Sequence, residues 1–396
     1  MSRILRLAIV TLALLGLAAT DAGAQTVAPE NGSSDWRQVS VGGAHSCGIR
    51  TSGRLYCWGG NYKGQLGTGG TSIDPTPTPV EVVGGATDWT QVSAGNTHTC
   101  ALRRTGRLYC WGEDTGGQLG NGPSGDQSTP TEVSGALTTW TSVSAGSGHT
   151  CGRRTNGRLY CWGTDFHGAL GDGPVLGDRQ VPTLVAGGFT DWRQVTAGLS
   201  ATTCGLRTNG RLYCWGWDNR GQLGNGTGVT DSESPVQVSG NATNWATVTV
   251  GAVHTCATRT NRRLYCWGFD GNGQLGNGPT STADRHVPGF VSGGGSWTAV
   301  AAGDGHTCGR QTTGRLYCWG WDQFGQLGDD GTNTNQHSPV EVAGGATDWT
   351  QFQVDTTNTC ARTRTGRLYC WGFDGDGRLG DDPVLADEDR PSEVFA

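Results

Sequence analysis

The chain has 396 residues, with 69 Gly, 16 Trp, 14 Cys, a single Lys and a formal net charge of −6. That mildly acidic balance carries no electrostatic footprint for nucleic acid or anionic lipid. Abundant Gly and Trp beside sparse Leu, Lys and Glu argues against helices and for short strands joined by turns.

Residues 1–24 read as a secretory signal peptide. Arg3 and Arg6 precede the apolar run "LAIVTLALLGLAA", and Ala22 to Ala24 form a small-residue cleavage site. The run is too short for a membrane span, and no second one follows. Cleavage would remove two Arg and one Asp, leaving a charge of −7. Residues 25–32 read as a short linker, and 33–396 as one repeat array.

Seven tryptophans open the repeats: Trp36, Trp89, Trp140, Trp192, Trp245, Trp297 and Trp349, at steps of 51 to 53 residues. Each unit continues as W-x-x-V-x-x-G, a His-Thr-Cys-like strand, a turn, "GRLYCWG", an Asp-bearing loop, "GQLG" and a Pro-x-x-Val strand. Seven units of four short strands predict an all-β fold, a seven-bladed β-propeller. The first unit opens on "DWRQVSVG" and the last ends on "PSEVFA". These ends are expected to pair in one shared blade and close the ring, which removes the sheet edges there.

Within "CALRRTGRLYC", placing Cys100 opposite Cys110 sets Ala101 against Tyr109 and Leu102 against Leu108. Arg104-Thr105-Gly106 is then a three-residue turn with Gly at positive φ. Residues opposite each other lie about 4.5–5.5 Å apart, within disulfide reach. The same frame pairs Cys47 with Cys57, Cys151 with Cys161, Cys204 with Cys214, Cys256 with Cys266, Cys308 with Cys318 and Cys360 with Cys370. Each blade should therefore carry its own hairpin disulfide. Thiol metal sites need spacings such as C-x-x-C, which never occur here.

The recurring "HTC … TxGRLYCWGxDxxGQLG … PxxV" resembles the repeat of the regulator of chromosome condensation family over residues 33–396. The resemblance implies that family's seven-bladed propeller. The founding member is a nuclear guanine-nucleotide exchange factor that docks on chromatin. This chain departs from it, with an export signal, no blade step above 53 residues to hold an exchange-promoting wedge, and no basic tail. The secreted propeller inhibitors of β-lactamase are similar in blade and suit an exported chain better.

Strand direction alternates, so the loops after the first and third strands of each blade share one face. Four sets of residues stand out around them. His45, His98, His149, His254 and His306, with Thr202 and Asn358 in the other units, read as structural, because two gaps break any metal ring. Asn61, Asp114, Asp165, Asp218, Asp270, Asp322 and Asp374 read as turn caps. Asp374, Asp376, Asp381 and Asp382 form a weak calcium candidate that matches no standard loop. Arg153, Arg310 and Arg362 read as structural, their stems lying on apolar surface.

The residue after "CWG" is Gly60, Glu113 or Thr164 in units one to three, and Trp217, Phe269, Trp321 or Phe373 in units four to seven. Packing within a blade should recur in every blade, so this asymmetry marks a candidate binding face, with Tyr62 beside it. No nucleophile elbow, phosphate loop or zinc signature is present. The expected protein is a secreted or periplasmic, monomeric, non-enzymatic propeller that binds another protein. Glycan binding, enzyme inhibition and, by family analogy, nucleotide exchange stand as alternatives. No cofactor, nucleic acid or membrane span is expected.

Overall fold

The computed structural model describes residues 34–279, 281–381 and 385–394. The expected signal peptide and linker lie outside them. Among the described residues, twenty-eight strands, β1–β28 in chain order, form seven antiparallel sheets of four. The first blade is β1 (Trp36–Val41), β2 (His45–Arg50), β3 (Leu55–Asn61) and β4 (Ser72–Glu81). The last is β25 (Trp349–Val354), β26 (Asn358–Thr363), β27 (Leu368–Gly372) and β28 (Glu388–Glu393). The chain is therefore a seven-bladed, all-β propeller.

The hairpin register is the expected one. Cys100 pairs with Cys110, Ala101 with Tyr109 and Leu102 with Leu108, and Gly106 turns at φ +78°. Every cysteine is bonded within its own hairpin. Besides Cys100 and Cys110, the bonds join Cys47 to Cys57, Cys151 to Cys161, Cys204 to Cys214, Cys256 to Cys266, Cys308 to Cys318 and Cys360 to Cys370. Their Cα–Cα distances are 4.0–4.1 Å, shorter than the roughly 4.5–5.5 Å usual between opposed Cα atoms of an antiparallel pair.

Alternation along β3-type strands sends the cysteines and the CWG tryptophan to opposite faces. Each apolar cluster therefore lies between blades. The disulfide and Leu residues of one blade pack on two tryptophans of the next, as Cys47, Cys57 and Leu55 do on Trp89 and Trp111. Seven such clusters form the core of the ring.

The expectation of a shared closing blade is corrected. β1 pairs within blade 1 and β28 within blade 7, so every sheet is built from consecutive strands. The chain ends still meet, but through side chains. Val394, Cys360, Cys370 and Leu379 pack on Trp36 and Trp58 of blade 1. Trp36 also donates its amide to the Gly366 carbonyl at 3.1 Å, as Trp89 does to Gly53.

The first strand of each blade borders a narrow axial channel of about 330 Å³. Its outward-facing peptide groups need partners, and glutamine amides supply several. Gln38 spans to Val92, Gln91 to Val143 and Gln194 to Val248, each amide meeting both the N–H and the carbonyl of its target. Gln351 does the same to Val39 across the chain ends, at 3.0 and 3.3 Å. The seam thus repeats the glutamine clasp of three interior junctions.

This equivalence is testable. Trp58 is fully buried in the seam, and Trp215 holds the same place between blades 3 and 4. Truncating either to Ala should cost about 3–5 kcal/mol. Urea unfolding of the two variants should give matching losses. A Trp58→Ala cost below about 1 kcal/mol would mean that the seam does not close.

Candidate functional site

The loops after the first and third strands gather on one face, as the alternation requires. Their histidines are not metal ligands. Nε2 of His45, His98, His149, His254 and His306 lies 2.7–2.9 Å from the hydroxyl of Thr99, Thr150, Thr203, Thr307 and Thr359, each on the next blade. Each of those hydroxyls donates its one proton to a loop carbonyl of the histidine's own blade, Gln65 O for Thr99 and Gln274 O for Thr307. The imidazole must then donate from Nε2. Burial holds these rings neutral, with the pKa of His45, His98, His254 and His306 lowered to about 3 and that of His149 to about 4. Thr202 instead donates to the Trp217 carbonyl of its own blade.

The loop carbonyl serves twice. Gln65 O also accepts from Trp111 Nε1, Gln118 O from Trp162 and Arg378 O from Trp58. The x-Leu-Gly turn of one blade, x being Gln, Ala169 or Arg378, is thus latched to a Thr or Ser and a Trp on the next.

The acidic positions are turn caps. Asn61, Asp114, Asp165, Asp218, Asp270, Asp322 and Asp374 each accept the N–H of the Leu five residues on. Burial lifts Asp218 to about 6 and Asp322 and Asp374 to about 7, against the Leu N–H bonds that favour the ionised form. These groups face inward and present little charge to a partner. A second clasp has no counterpart in the sequence reading. The backbone N–H of each Asp donates to a further acid or amide, Asp126, Asp178, Asp231, Asp284, Asn335 or Asp387, 12–14 residues later.

The calcium candidate does not assemble. Asp374 caps its turn, Asp376 pairs with Arg378, and Asp382 lies outside the described residues. No group of three or more His, Cys, Asp or Glu among the described residues is placed to hold a metal. Arg153 is half-buried. Arg310 and Arg362 reach the backbone of the next blade, at Trp349 O and Trp36 O, 2.9 and 2.8 Å away.

The residue after CWG meets a partner that sequence reasoning missed. The residue two after each capping Asp or Asn sits against it from the preceding blade. Lys63 lies 3.5 Å from Glu113. A Cβ on Gly116 would meet Thr164 Oγ1 at 2.1 Å, so only Gly fits there. His167 stacks on Trp217 with ring centroids 5.5 Å apart, Arg220 covers Phe269 at 5.0 Å, and Phe324 meets Phe373 edge-on at 5.1 Å. Trp321 and Asn272 flank Gly305. The column alternates because each pair is chosen jointly, which shows only when one blade's loop is aligned with the next blade's strand.

Trp217, Phe269, Trp321 and Phe373 are each half-buried, and Arg378 lies over the Phe373 ring at 5.2 Å. Tyr62 is 48% exposed and folds back over Gly60, the position its own blade leaves without a ring. The aromatic run thus passes through blades 4 to 7, across the seam and on to blade 1. Phe166, 65% exposed, extends it into blade 3 beside the exposed Leu176.

The sequence matches the regulator of chromosome condensation (RCC1) repeat in six stretches, residues 52–102, 105–152, 156–204, 209–258, 263–309 and 313–361. It is 32% identical to the ultraviolet-B receptor UVR8 of Arabidopsis thaliana over 357 residues, 86% of this chain and 78% of the receptor. It is 27% identical over 375 residues to the human E3 ubiquitin-protein ligase HERC2, covering 91% of this chain and 7% of the ligase. The fold is also that of human WBSCR16, with a TM-score of 0.76 at 21% identity over 87% of this chain and 94% of that one. Prp20p from Saccharomyces cerevisiae, solved together with its binding properties to Gsp1p and histones, has a TM-score of 0.76 at 19% identity, covering 87% of each chain.

Proposed function

Because the chain belongs to the regulator of chromosome condensation (RCC1) repeat family, we propose that it is an exported protein-binding module that grips its partner with the loop face of blades 4 to 7 and blade 1. The carrying observation is the run of partly exposed rings, Trp217, Phe269, Trp321, Phe373 and Tyr62, on five consecutive blades. Large aromatics dominate interface energies when a partner covers them, and a row of partly exposed rings on neighbouring blades marks a candidate interaction site. The blades hold this patch rigid, so little ordering accompanies binding. Prp20p offers a precedent for protein binding on this fold. The seven disulfides fit the oxidising compartment that the N-terminal segment implies. Among the described residues no catalytic constellation emerges from the loop face: the five repeat histidines are buried and neutral, and the capping acids are bonded to backbone.

The expected result is retention of a protein partner from the native extracellular fraction by the mature domain. Trp217→Ala and Trp321→Ala should leave the fold intact and weaken that complex by about 2 kcal/mol each. Unchanged affinity in the double variant overturns the assignment of the face. Capture of glycans in place of protein, lost in the same variants, overturns the partner class while keeping the face.

A further inference from the structure

Five blades share an internal cation–π contact on the opposite face, beside the hairpin turns. The residue three after the leading cysteine is Arg50, Arg103, Arg154, Arg207 and Arg259 in blades 1 to 5. It pairs in register with the opening residue of its blade, as Trp36 with Arg50 and Trp89 with Arg103. In blades 1, 2, 3 and 5 its guanidinium lies 4.4–6.0 Å from the centroids of the opening Trp and the hairpin Tyr. In blade 4, Arg207 covers Tyr213 and Phe189. The carboxylate before the opening Trp completes the seat in three of these blades, Asp35, Asp88 and Asp191 lying 3.5, 2.6 and 2.7 Å from their arginines. Delocalised cations over aromatic faces are attracted by the ring quadrupole, and more strongly once desolvated.

Blade 7 keeps the seat and lacks the guanidinium. Trp349 and Tyr369 meet edge-on at 5.6 Å and 87°, matching Trp89 and Tyr109 at 5.7 Å and 85°. Asp348 stands where Asp35, Asp88 and Asp191 do. The residue paired with Trp349 is Thr363. Among the described residues no cation lies over Trp349 or Tyr369, and no ion pair reaches Asp348. A cleft of about 840 Å³ lies against this pair, lined by Asp348, Trp349, Thr363 and Tyr369, with Trp349 itself 5% exposed. Asp330, Arg367 and Arg390 also line it, and Arg367 is held at the rim by a hydrogen bond to Tyr369 and by Glu393 at 3.6 Å. The remaining charges therefore sum to one negative unit. In blade 6 Gln311 takes the arginine's place, with its amide beside Gly295.

We propose that blade 7 is a receptor site for a guanidinium supplied from outside, the arginine side chain of a partner polypeptide. The seat is a copy of ones this chain fills itself, so its geometry for that group is demonstrated several times within the same molecule. A cleft of this size admits the side chain together with flanking main chain. The site lies on the face away from the aromatic run and is independent of it.

The test is calorimetric titration of the mature protein with the capped peptide acetyl-Gly-Arg-Gly-amide, with its lysine counterpart and with free arginine. The arginine peptide should bind saturably and the lysine peptide about tenfold more weakly, since an ammonium lacks the planar stacking face. Thr363→Arg should restore the pattern of blades 1 to 5, abolish peptide binding and raise the melting temperature. Asp348→Asn, which alters no core residue, should weaken the peptide about tenfold and serves if Thr363→Arg misfolds. Absence of saturable binding to the wild-type protein, or equal binding to both variants, overturns the site. Free arginine binding as tightly as the peptide overturns the polypeptide source.

Discussion

Reduction of the seven disulfides should unfold the ring. Each closes a hairpin with a sequence separation of ten residues, for which the chain-entropy relation gives about 2–3 kcal/mol. The seven lie in separate blades, so their contributions should be close to additive. Their sum, about 14–21 kcal/mol, equals or exceeds the roughly 5–15 kcal/mol typical of a folded domain. The cysteines are at most 1% exposed, so thiolate attack must wait for local opening. Native protein should therefore resist dithiothreitol until modest urea is added, and then lose all tertiary signal in one step. Removing a single pair, Cys204→Ala with Cys214→Ala, should lower stability by about 2–3 kcal/mol or more and leave the other six blades stapled. A fully reduced chain that melts where the oxidised one does would remove the disulfides from any account of this fold's stability.

Acid should unfold the protein steeply below about pH 4, driven by the five buried imidazoles. Their folded pKa values are about 3, or about 4 for His149, against the ordinary 6.5 of an exposed histidine. Below 6.5 the unfolded chain binds protons that the folded one refuses, so stability falls as pH falls. Four buried carboxyls oppose this. Asp218 is raised to about 6 and Asp322, Asp355 and Asp374 to about 7, all by desolvation, so the folded chain holds their protons while the unfolded chain has none. Down to about pH 4 the two sets nearly cancel and stability should change little. Below that the unfolded carboxyls protonate as well and the opposition ends. About two protons are then taken up on unfolding, a loss of about 3 kcal/mol per pH unit. Urea titrations between about pH 3.2 and 4.2 measure this slope directly. His254→Thr with His306→Thr, following the natural Thr202, should cut the uptake by about two protons. A slope unmoved by that double variant would assign the acid limb to other groups.

The hairpins were readable because their determinants are local. One short segment holds both cysteines, the turn glycine and the alternation that sends Tyr109 and Trp111 to the far face. The turn-capping role of the Asp column was readable for the same reason, since Asp218 and its Leu223 amide are five residues apart. The meaning of the aromatic column was not. Trp217 answers to His167, and Phe373 to Phe324, across a blade boundary and about fifty residues of chain, so neither strand taken alone explains its own side chain. The second clasp escaped for a related reason: Asp231 and Asp284 sit in loops of varying length that no fixed spacing picks out.

The period of 51 to 53 residues, the four-strand pattern and the paired cysteines by themselves determined a seven-bladed, disulfide-stapled propeller. Side-chain periodicity and turn chemistry act over a few residues, and the repeat multiplies a local signal sevenfold. Where one blade stops and the next begins was decided only in three dimensions. A cyclic pattern can be cut at any strand and reads the same, so the sequence was compatible with a shared closing blade. The folded chain cuts it at the opening Trp and seals the junction with Trp36, Trp58, Val394 and the Gln351 amide, because groups of the same kind close the other junctions in the ring. The empty seat beside Trp349 belongs to the same class: Thr363 is unremarkable in a strand, and gains meaning only where five other blades place an arginine.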